Sequence, residues 1–189
     1  MADQLYLSYW IRGFTEHNML RHFERVLSRF PFSKLHPRAL MEVRAVELSE
    51  PPLLEREFSD AIDPSAIVEA AKWFQNRDCA FELASFWDLW QMSEEGEFKL
   101  MPSAVKIICY APLFESEYGE QIRIEFGMDS QFLPQPETPS SLTPVRQNIK
   151  SLLHLVKDLD EALAVDKRQL WSESGGNFAE RLQEALGGQ

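Results

Sequence analysis

The chain has 189 residues, of which 44% are hydrophobic and 12% are aromatic. This composition excludes disordered and fibrous proteins, and it supplies enough apolar surface for a globular fold that needs no metal ion or disulfide for its stability. The formal net charge of −11 repels nucleic acids and anionic lipids, so we expect neither as a partner.

The N-terminal segment is predicted to form a strand followed by a helix. Apolar residues occupy every second position from Leu5 to Ile11, which is typical of a strand with one buried face. After a glycine turn, apolar residues recur at helical spacing up to Pro31, and Thr15 is the expected N-cap of this helix.

Three further strands and a second helix are expected next. Residues 39–46 alternate between apolar and polar side chains, and residues 54–58 repeat that pattern after a proline pair. Asp63 and Pro64 are typical of a helix start, because aspartate accepts hydrogen bonds from free amides and proline has no amide hydrogen to leave unsatisfied. Residues 79–90 fit both strand and helix periodicity, and we interpret them as a strand.

The predicted fold class is α+β, with a mainly antiparallel sheet and helices packed on one face. Strands at 98–110 and 121–128 are expected to pair as a hairpin with a long loop. The order of elements over residues 5–90 matches a ferredoxin-like β-α-β-β-α-β unit. Alternatively, the strand at 79–90 begins a meander with the two strands that follow it, which gives a larger antiparallel sheet.

The chain is predicted to have three parts. Residues 1–133 form the sheet domain, and residues 134–144 form an extended connector rich in proline. Residues 145–189 form helices that pack on the same domain. Thr143 and Pro144 are typical of a helix start, for the same reason as the earlier Asp-Pro pair.

No motif for catalysis, nucleotide binding or metal binding is found in the sequence. Nucleophile elbows and phosphate-binding loops require glycine patterns that the eight glycines do not form. Cys79 and Cys109 lie in apolar segments, which indicates inert, buried thiols. His154, Asp158 and Glu161 share one helix face, but neighbouring lysines indicate a solvated surface. We therefore expect no cofactor and no metal, and we favour a protein that is not an enzyme.

The most distinctive charged feature is a row of three arginines on the first predicted helix. Arg21, Arg25 and Arg29 recur every four residues and therefore lie along one stripe. They could bind a carboxylate or phosphate group, or the acidic surface of a partner. The alternative is neutralisation by acids of the same chain: Glu24, Glu42, Glu47 or those of the C-terminal region.

The second distinctive feature is the aromatic run from Phe86 to Trp90. On a strand, Phe86, Asp88 and Trp90 share one face, while Trp87 and Leu89 share the other. The two faces therefore cannot both be ordinary solvent-exposed surface, and we expect one of them to contact a helix or a partner. A buried core explains the pattern, and the alternative is a subunit interface or pocket wall that includes Trp90.

These features favour a non-catalytic protein that binds another protein, or itself as a dimer, through an aromatic sheet face and an acidic surface. The candidate binding residues are Trp10, Trp87 and Trp90 together with the arginine row. A related hypothesis is that the protein is an acidic antagonist that binds a basic partner, because residues 61–189 contain 11 Lys and Arg against 21 Asp and Glu.

The alternative function is an enzyme or small-ligand-binding protein with an aromatic cleft. This cleft would be lined by four aromatic side chains: Tyr9, Trp10, Trp87 and Trp90. Arg12 or Arg123 would orient the ligand, since acid–base sites are assembled from distant residues and leave no local pattern.

A cytoplasmic location is expected by elimination. The first residues do not resemble a signal peptide, and no apolar run reaches the roughly 18 residues of a membrane-spanning helix. Two cysteines are too few for a disulfide framework, which favours a reducing compartment.

Overall fold

The computed structural model describes residues 3–133, 142–173 and 178–187. Within these residues the chain forms a seven-stranded antiparallel sheet and four α-helices. The elements in chain order are β1 Gln4–Ile11, α1 Met19–Arg29, β2 Arg38–Ala45, β3 Leu54–Ser59, α2 Pro64–Ala71, β4 Cys79–Met92, β5 Phe98–Tyr110, β6 Ile122–Met128, α3 Leu142–Ala162, β7 Val165–Ser172 and α4 Phe178–Gly187.

The predicted α+β fold class is confirmed, and the strand order is β3-β2-β4-β5-β6-β1-β7. Of the two predicted arrangements, the meander is the one formed, because β4, β5 and β6 are successive neighbours in the sheet. The ferredoxin-like alternative is not formed. Strand β1 pairs with β6 and β7, so three strands separate it from β2, the next strand in the chain.

One face of the sheet carries the core. Alternate strand residues such as Leu7, Phe81 and Ile107 are fully buried there, and they form one cluster with apolar side chains of all four helices. We call the opposite side of the sheet the open face. It carries the intervening strand residues, which include Tyr6, Ser8, Leu40, Glu42, Glu82, Ala84, Phe86, Trp90, Ala104, Lys106, Ile108, Arg123 and Glu125.

Strands β4 and β5 form a hairpin that is longer than its neighbours. Its ladder runs from the pair Ala80 and Tyr110 to the pair Met92 and Phe98. Strand β2 pairs with β4 only as far as Ala84, and β6 pairs with β5 only from Lys106 onward. The distal part of the hairpin, residues 88–102, therefore projects beyond both neighbours, and we call it the hairpin arm.

Asn148 of α3 fixes the hairpin arm to the helix layer. The backbone N–H of Trp90 donates to Asn148 Oδ1 at 2.9 Å, and Asn148 Nδ2 donates to the carbonyl oxygens of Trp90 and Gln131, each at 2.9 Å. Asn148 is only 1% exposed. Its carboxamide thus satisfies backbone groups that a neighbouring strand would otherwise pair.

We expect Asn148→Leu to lower the free energy of unfolding by about 1–3 kcal/mol, because leucine leaves these buried backbone groups without their hydrogen bonds. Hydrogen exchange at the Trp90 amide should become faster. Gln147→Leu, at the exposed neighbouring position on α3, is the control and should change neither quantity. Unchanged exchange at Trp90 in the Asn148 variant would contradict the anchoring role.

The start of α1 and the C-terminal region differ from the sequence predictions. Asn18 occupies the N-cap position of α1 in place of Thr15, because its side chain accepts from the Thr15 amide and donates to the Gly13 carbonyl, which closes a turn before the helix. The prediction of helices alone over 145–189 is wrong, since β7 forms there and pairs with β1.

The predicted connector falls mostly outside the described residues, which resume at 142. Its last positions, 142–144, belong to the first turn of α3. The predicted start of α2 at Asp63 and Pro64 is confirmed, because the side chain of Asp63 accepts a hydrogen bond from the Ser65 amide at 3.0 Å. No helix in the described ranges is long and apolar enough to cross a membrane.

Candidate functional site

A pocket lies near the centre of the open face. Its volume is about 560 Å³, and its floor includes Leu40, Ala84 and Ala104, which lie on the adjacent strands β2, β4 and β5. The two alanines end at Cβ, whereas the aromatic ring of Phe86 rises beside them on β4. The depression therefore arises from small side chains at the middle of a sheet that none of the described helices covers on this side.

Charged side chains of both signs line opposite walls of the pocket. Arg38 and Glu57 stand on the β2 and β3 side, and Lys106 and Glu125 stand on the β5 and β6 side. The register puts Glu57, Ala84 and Glu125 in one row across the sheet. At about 4.8 Å between neighbouring strands, the backbones of the two glutamates are about 19 Å apart.

The two walls differ in how their charges are satisfied. Lys106 Nζ lies 3.0 Å from Oε1 of the buried Glu82. Burial raises the pKa of Glu125, although the nearby cations Lys106 and Arg123 act in the opposite direction. Arg38 and Glu57 have no ion pair within the described ranges. The β2 and β3 wall therefore offers the groups that are available to a ligand.

Exposed apolar side chains continue from the pocket along the hairpin arm. Trp90 opposes Leu100, and Met92 opposes Phe98 one step further on the same face. Trp90 is 37% exposed, Met92 47% and Leu100 44%. Exposed apolar side chains grouped in this way are typical of a site where another molecule binds.

The other end of the open face is closed by the connection between β5 and β6, residues 111–121. The guanidinium of Arg123 lies beneath it, 5.6 to 5.9 Å from the ring centres of Tyr6, Tyr110 and Tyr118. Arg123 Nε donates to Glu120 Oε1 at 2.5 Å. These three tyrosines form a cage of the type that binds cations, but a side chain of the same chain already fills it.

The tryptophans predicted to bind a partner are not brought together. Trp87 is 4% exposed and belongs to the core, whereas Trp90 lies on the open face. Trp10 lies near the far edge of the open face, with Lys167 Nζ 4.2 Å from its ring centre. Tyr9 is fully buried. The predicted aromatic cleft is therefore not formed, because alternation puts Tyr9 and Trp87 on the side opposite to Trp10 and Trp90.

The arginine row lies on the other side of the molecule from the pocket. Arg21, Arg25 and Arg29 are all exposed on α1, in the helix layer. Like charges at four-residue spacing destabilise a helix by about 0.2–0.5 kcal/mol per pair. Beside them, His22 is buried, and this burial together with the charges of Arg25 and Arg21 lowers its pKa.

The described residues contain no arrangement suited to metal or thiol chemistry. No group of three or more His, Cys, Asp or Glu side chains in them is placed to hold a metal ion. His154 and Asp158 are exposed on α3. Cys79 and Cys109 are buried, and burial raises the pKa of both thiols, which disfavours the reactive thiolate.

Sequence reasoning missed the residues of the pocket. The only signal was on β4, where Ala80, Glu82 and Ala84 alternate with large apolar residues. Small and charged side chains at every second position indicate a strand face that no helix covers. The pocket itself depends on the alignment of Ala84 with Ala104 and Leu40 on neighbouring strands, which one strand alone does not specify.

Comparison with known proteins gives no match. No family model, no curated protein and no solved structure matches this chain. The functional argument therefore depends on two surfaces: the open face with its pocket and hairpin arm, and the arginine row on α1.

Proposed function

We propose that this protein is a non-catalytic binding module that associates with a second copy of itself through the open face. The observation that supports this proposal is that the two central strands of the pocket, β4 and β5, also carry the row of exposed apolar side chains, on the same face. A projecting side chain and a depression large enough to admit it make such a face complementary to itself.

The offset between the two features suits a twofold dimer. Trp90 is four residues from Phe86 along β4, which corresponds to about 13 Å. A twofold axis near the pair Asp88 and Pro102 would seat Trp90 of each copy against the pocket of the other. In such an isologous interface the same patch is used twice, so the assembly closes at two copies.

Burial of the exposed apolar side chains would drive association. Full burial of a large apolar side chain contributes about 1.5–3 kcal/mol. Because Trp90, Met92 and Leu100 are partly exposed in the monomer, each can contribute part of this free energy when the dimer forms. The net charge of −11 on each copy opposes association. Added salt screens this repulsion, so the dimer should become tighter with salt. An acidic antagonist that binds a basic partner would show the opposite dependence.

Sedimentation equilibrium from micromolar to millimolar protein tests the proposal. The wild-type chain should form a dimer. Trp90→Arg removes the projecting side chain, and Ala104→Arg fills the pocket, so each should leave a monomer. Leu153→Arg changes an exposed leucine on α3, on the helix side, and should leave the dimer intact.

Circular dichroism on each variant confirms that the fold is retained before the masses are compared. A wild-type chain that stays monomeric over the whole range contradicts the proposal. An equal loss of dimer in Trp90→Arg and Leu153→Arg also contradicts it, because the effect would then come from added charge and not from the open face.

A second candidate function is the binding of a small molecule that carries both a carboxylate and an amine. Arg38 and Glu57 at one wall of the pocket favour it, because neither forms an ion pair with any other residue that the structure describes. Free tryptophan, which combines an indole ring with both charges, is the probe. A monomeric chain in which tryptophan shifts the NMR amide signals of Ala84 and Ala104 would support this candidate over the dimer.

We infer that the protein acts in the cytoplasm. Cys79 and Cys109 are free thiols, and both are buried. Buried cysteines without a disulfide are typical of proteins in a reducing compartment.

A further inference from the structure

The arginine row of α1 is exposed and forms no ion pair within the described ranges. Arg21, Arg25 and Arg29 form no ion pair there, although the protein as a whole is strongly acidic. The row lies in the helix layer and is therefore separate from the open face.

The acids that the sequence offers as candidates to neutralise the row make other contacts, and Glu42 lies on the open face, on the other side of the sheet. The carboxylate of Glu24 accepts from the Ser65 hydroxyl at 2.7 Å. The carboxylate of Glu42 accepts from Arg44 Nη2 at 2.7 Å. Glu47 accepts from a neighbouring serine hydroxyl at 3.1 Å. Within the described residues, none of these three carboxylates forms an ion pair with the row, and Glu42 is paired with Arg44.

The row does not stabilise the helix on which it lies. Arg21 is in the first turn of α1, where the helix dipole disfavours a positive charge, and that turn contains no acidic residue. The four-residue spacing also brings like charges together. Only Arg29, in the last turn, is favourably placed with respect to the dipole. The fold therefore gives no reason for a cation at Arg21 or Arg25.

The spacing of the row suits an acidic helix. Four residues of an α-helix rise about 6 Å, so the three guanidinium groups follow one another at about that interval. Carboxylates at four-residue intervals on a second helix have the same period, and guanidinium pairs with carboxylate through two parallel hydrogen bonds. We propose that α1 binds an acidic helix of a partner protein, whose carboxylates pair one to one with Arg21, Arg25 and Arg29.

The overall charge favours this partner over a nucleic acid. The row is short, and the phosphates of a nucleic acid strand would extend well beyond it. The rest of the protein would repel them, because the net charge of the chain is −11. A helix with a few acidic side chains presents its charge only where the row lies. The self-association proposed above uses the opposite side of the sheet, so the two interactions can be tested separately.

The test uses a fluorescein-labelled, alanine-based helical peptide with three glutamates at four-residue intervals, and fluorescence anisotropy at low ionic strength. The wild-type chain should bind it. Neutralising the row with Arg21→Gln, Arg25→Gln and Arg29→Gln should weaken binding by about tenfold or more, as expected for the loss of three exposed ion pairs. The control variant removes the same number of exposed cations from other helical segments: Lys72→Gln, Lys150→Gln and Lys157→Gln.

The His22 imidazole reports where the peptide binds. Because Arg25 and Arg21 contribute to the lowered pKa of His22, carboxylates bound to the row should raise that pKa, and NMR titration of the ring signals measures the change. The row variant should show no such change on addition of peptide. A peptide that binds without raising the His22 pKa is not bound to the row, and this result would overturn the proposal.

Three other outcomes would also overturn it. The first is equal binding of the peptide by the wild-type chain and the row variant, and the second is an equal loss of binding in the lysine control. The third is tighter binding of a single-stranded oligonucleotide of the same charge, which would make the partner a nucleic acid. A peptide of identical composition with irregular glutamate spacing should bind more weakly. Equal binding of the two peptides would contradict the one-to-one pairing of carboxylates with the row.

Discussion

Arg123→Leu is expected to lower the free energy of unfolding by about 3–5 kcal/mol, because it breaks a buried ion pair by removing one partner. Arg123 is 7% exposed and Glu120 is 2% exposed. Leucine would leave the Glu120 carboxylate buried without its counter-charge. It would also remove the cation that the rings of Tyr6, Tyr110 and Tyr118 surround.

Urea denaturation measures this loss, and two further variants identify its cause. Arg168→Leu breaks the exposed ion pair with Asp160 and should cost only about 0–1 kcal/mol. Adding Glu120→Gln to Arg123→Leu removes the stranded charge and should restore part of the stability. Similar losses in the Arg123 and Arg168 variants would show that burial does not distinguish the two ion pairs.

Most strands and helices could be predicted because each buries one face and exposes the other. Strand β1 lies between β6 and β7 with Leu5, Leu7 and Tyr9 fully buried, so alternation in the sequence follows directly from the covered side of the sheet. The start of α2 was predictable for a local reason, since the Asp63 side chain and the Pro64 ring act within one turn.

Strand β7 was not predictable, because it is an edge strand with little buried surface. Its central residues Asp166, Lys167 and Arg168 are all exposed, so the alternation that marks a half-buried strand is missing. Its partner β1 is more than 150 residues away in the chain: Leu5 pairs with Ser172. The strand order is a property of such distant pairings, and local patterns leave it undetermined.

In the candidate site, too, the sequence predicts what depends on neighbouring residues of one strand and does not predict what depends on the pairing of different strands. Alternation predicts that Trp87 and Trp90 point to opposite sides of β4, and the structure confirms this. The sequence of this strand does not say which side the helices cover, since both sides are aromatic. The pocket requires Ala84 to lie opposite Leu40 and Ala104 to lie opposite Phe86, and this alignment is fixed by the register of three strands.

Trp87→Ala is expected to lower the free energy of unfolding by about 3–5 kcal/mol, the usual cost of removing a large buried ring. The Trp87 ring is 4% exposed, and its centre lies 5.6 Å from those of Phe30 and Phe126 and 6.1 Å from that of Phe132. These rings come from β4, β6 and the segments that follow α1 and β6. The alanine variant therefore leaves a cavity where the sheet meets the helix layer.

Trp90→Ala is the matched control, three residues along the same strand. Its ring is on the open face, and its backbone hydrogen bonds with Asn148 do not depend on the side chain. In dilute solution, where self-association does not contribute, Trp90→Ala should lose about 1–2 kcal/mol, clearly less than Trp87→Ala, because 37% of the Trp90 surface is already exposed. Dimer formation at high concentration should show the opposite order of effects. The Trp90 variant should lose the dimer, while any Trp87 variant that remains folded should keep it. Equal stability losses at the two positions in dilute solution would mean that the Trp90 ring is part of the core, and the open face would then have no projecting side chain to bind a second copy.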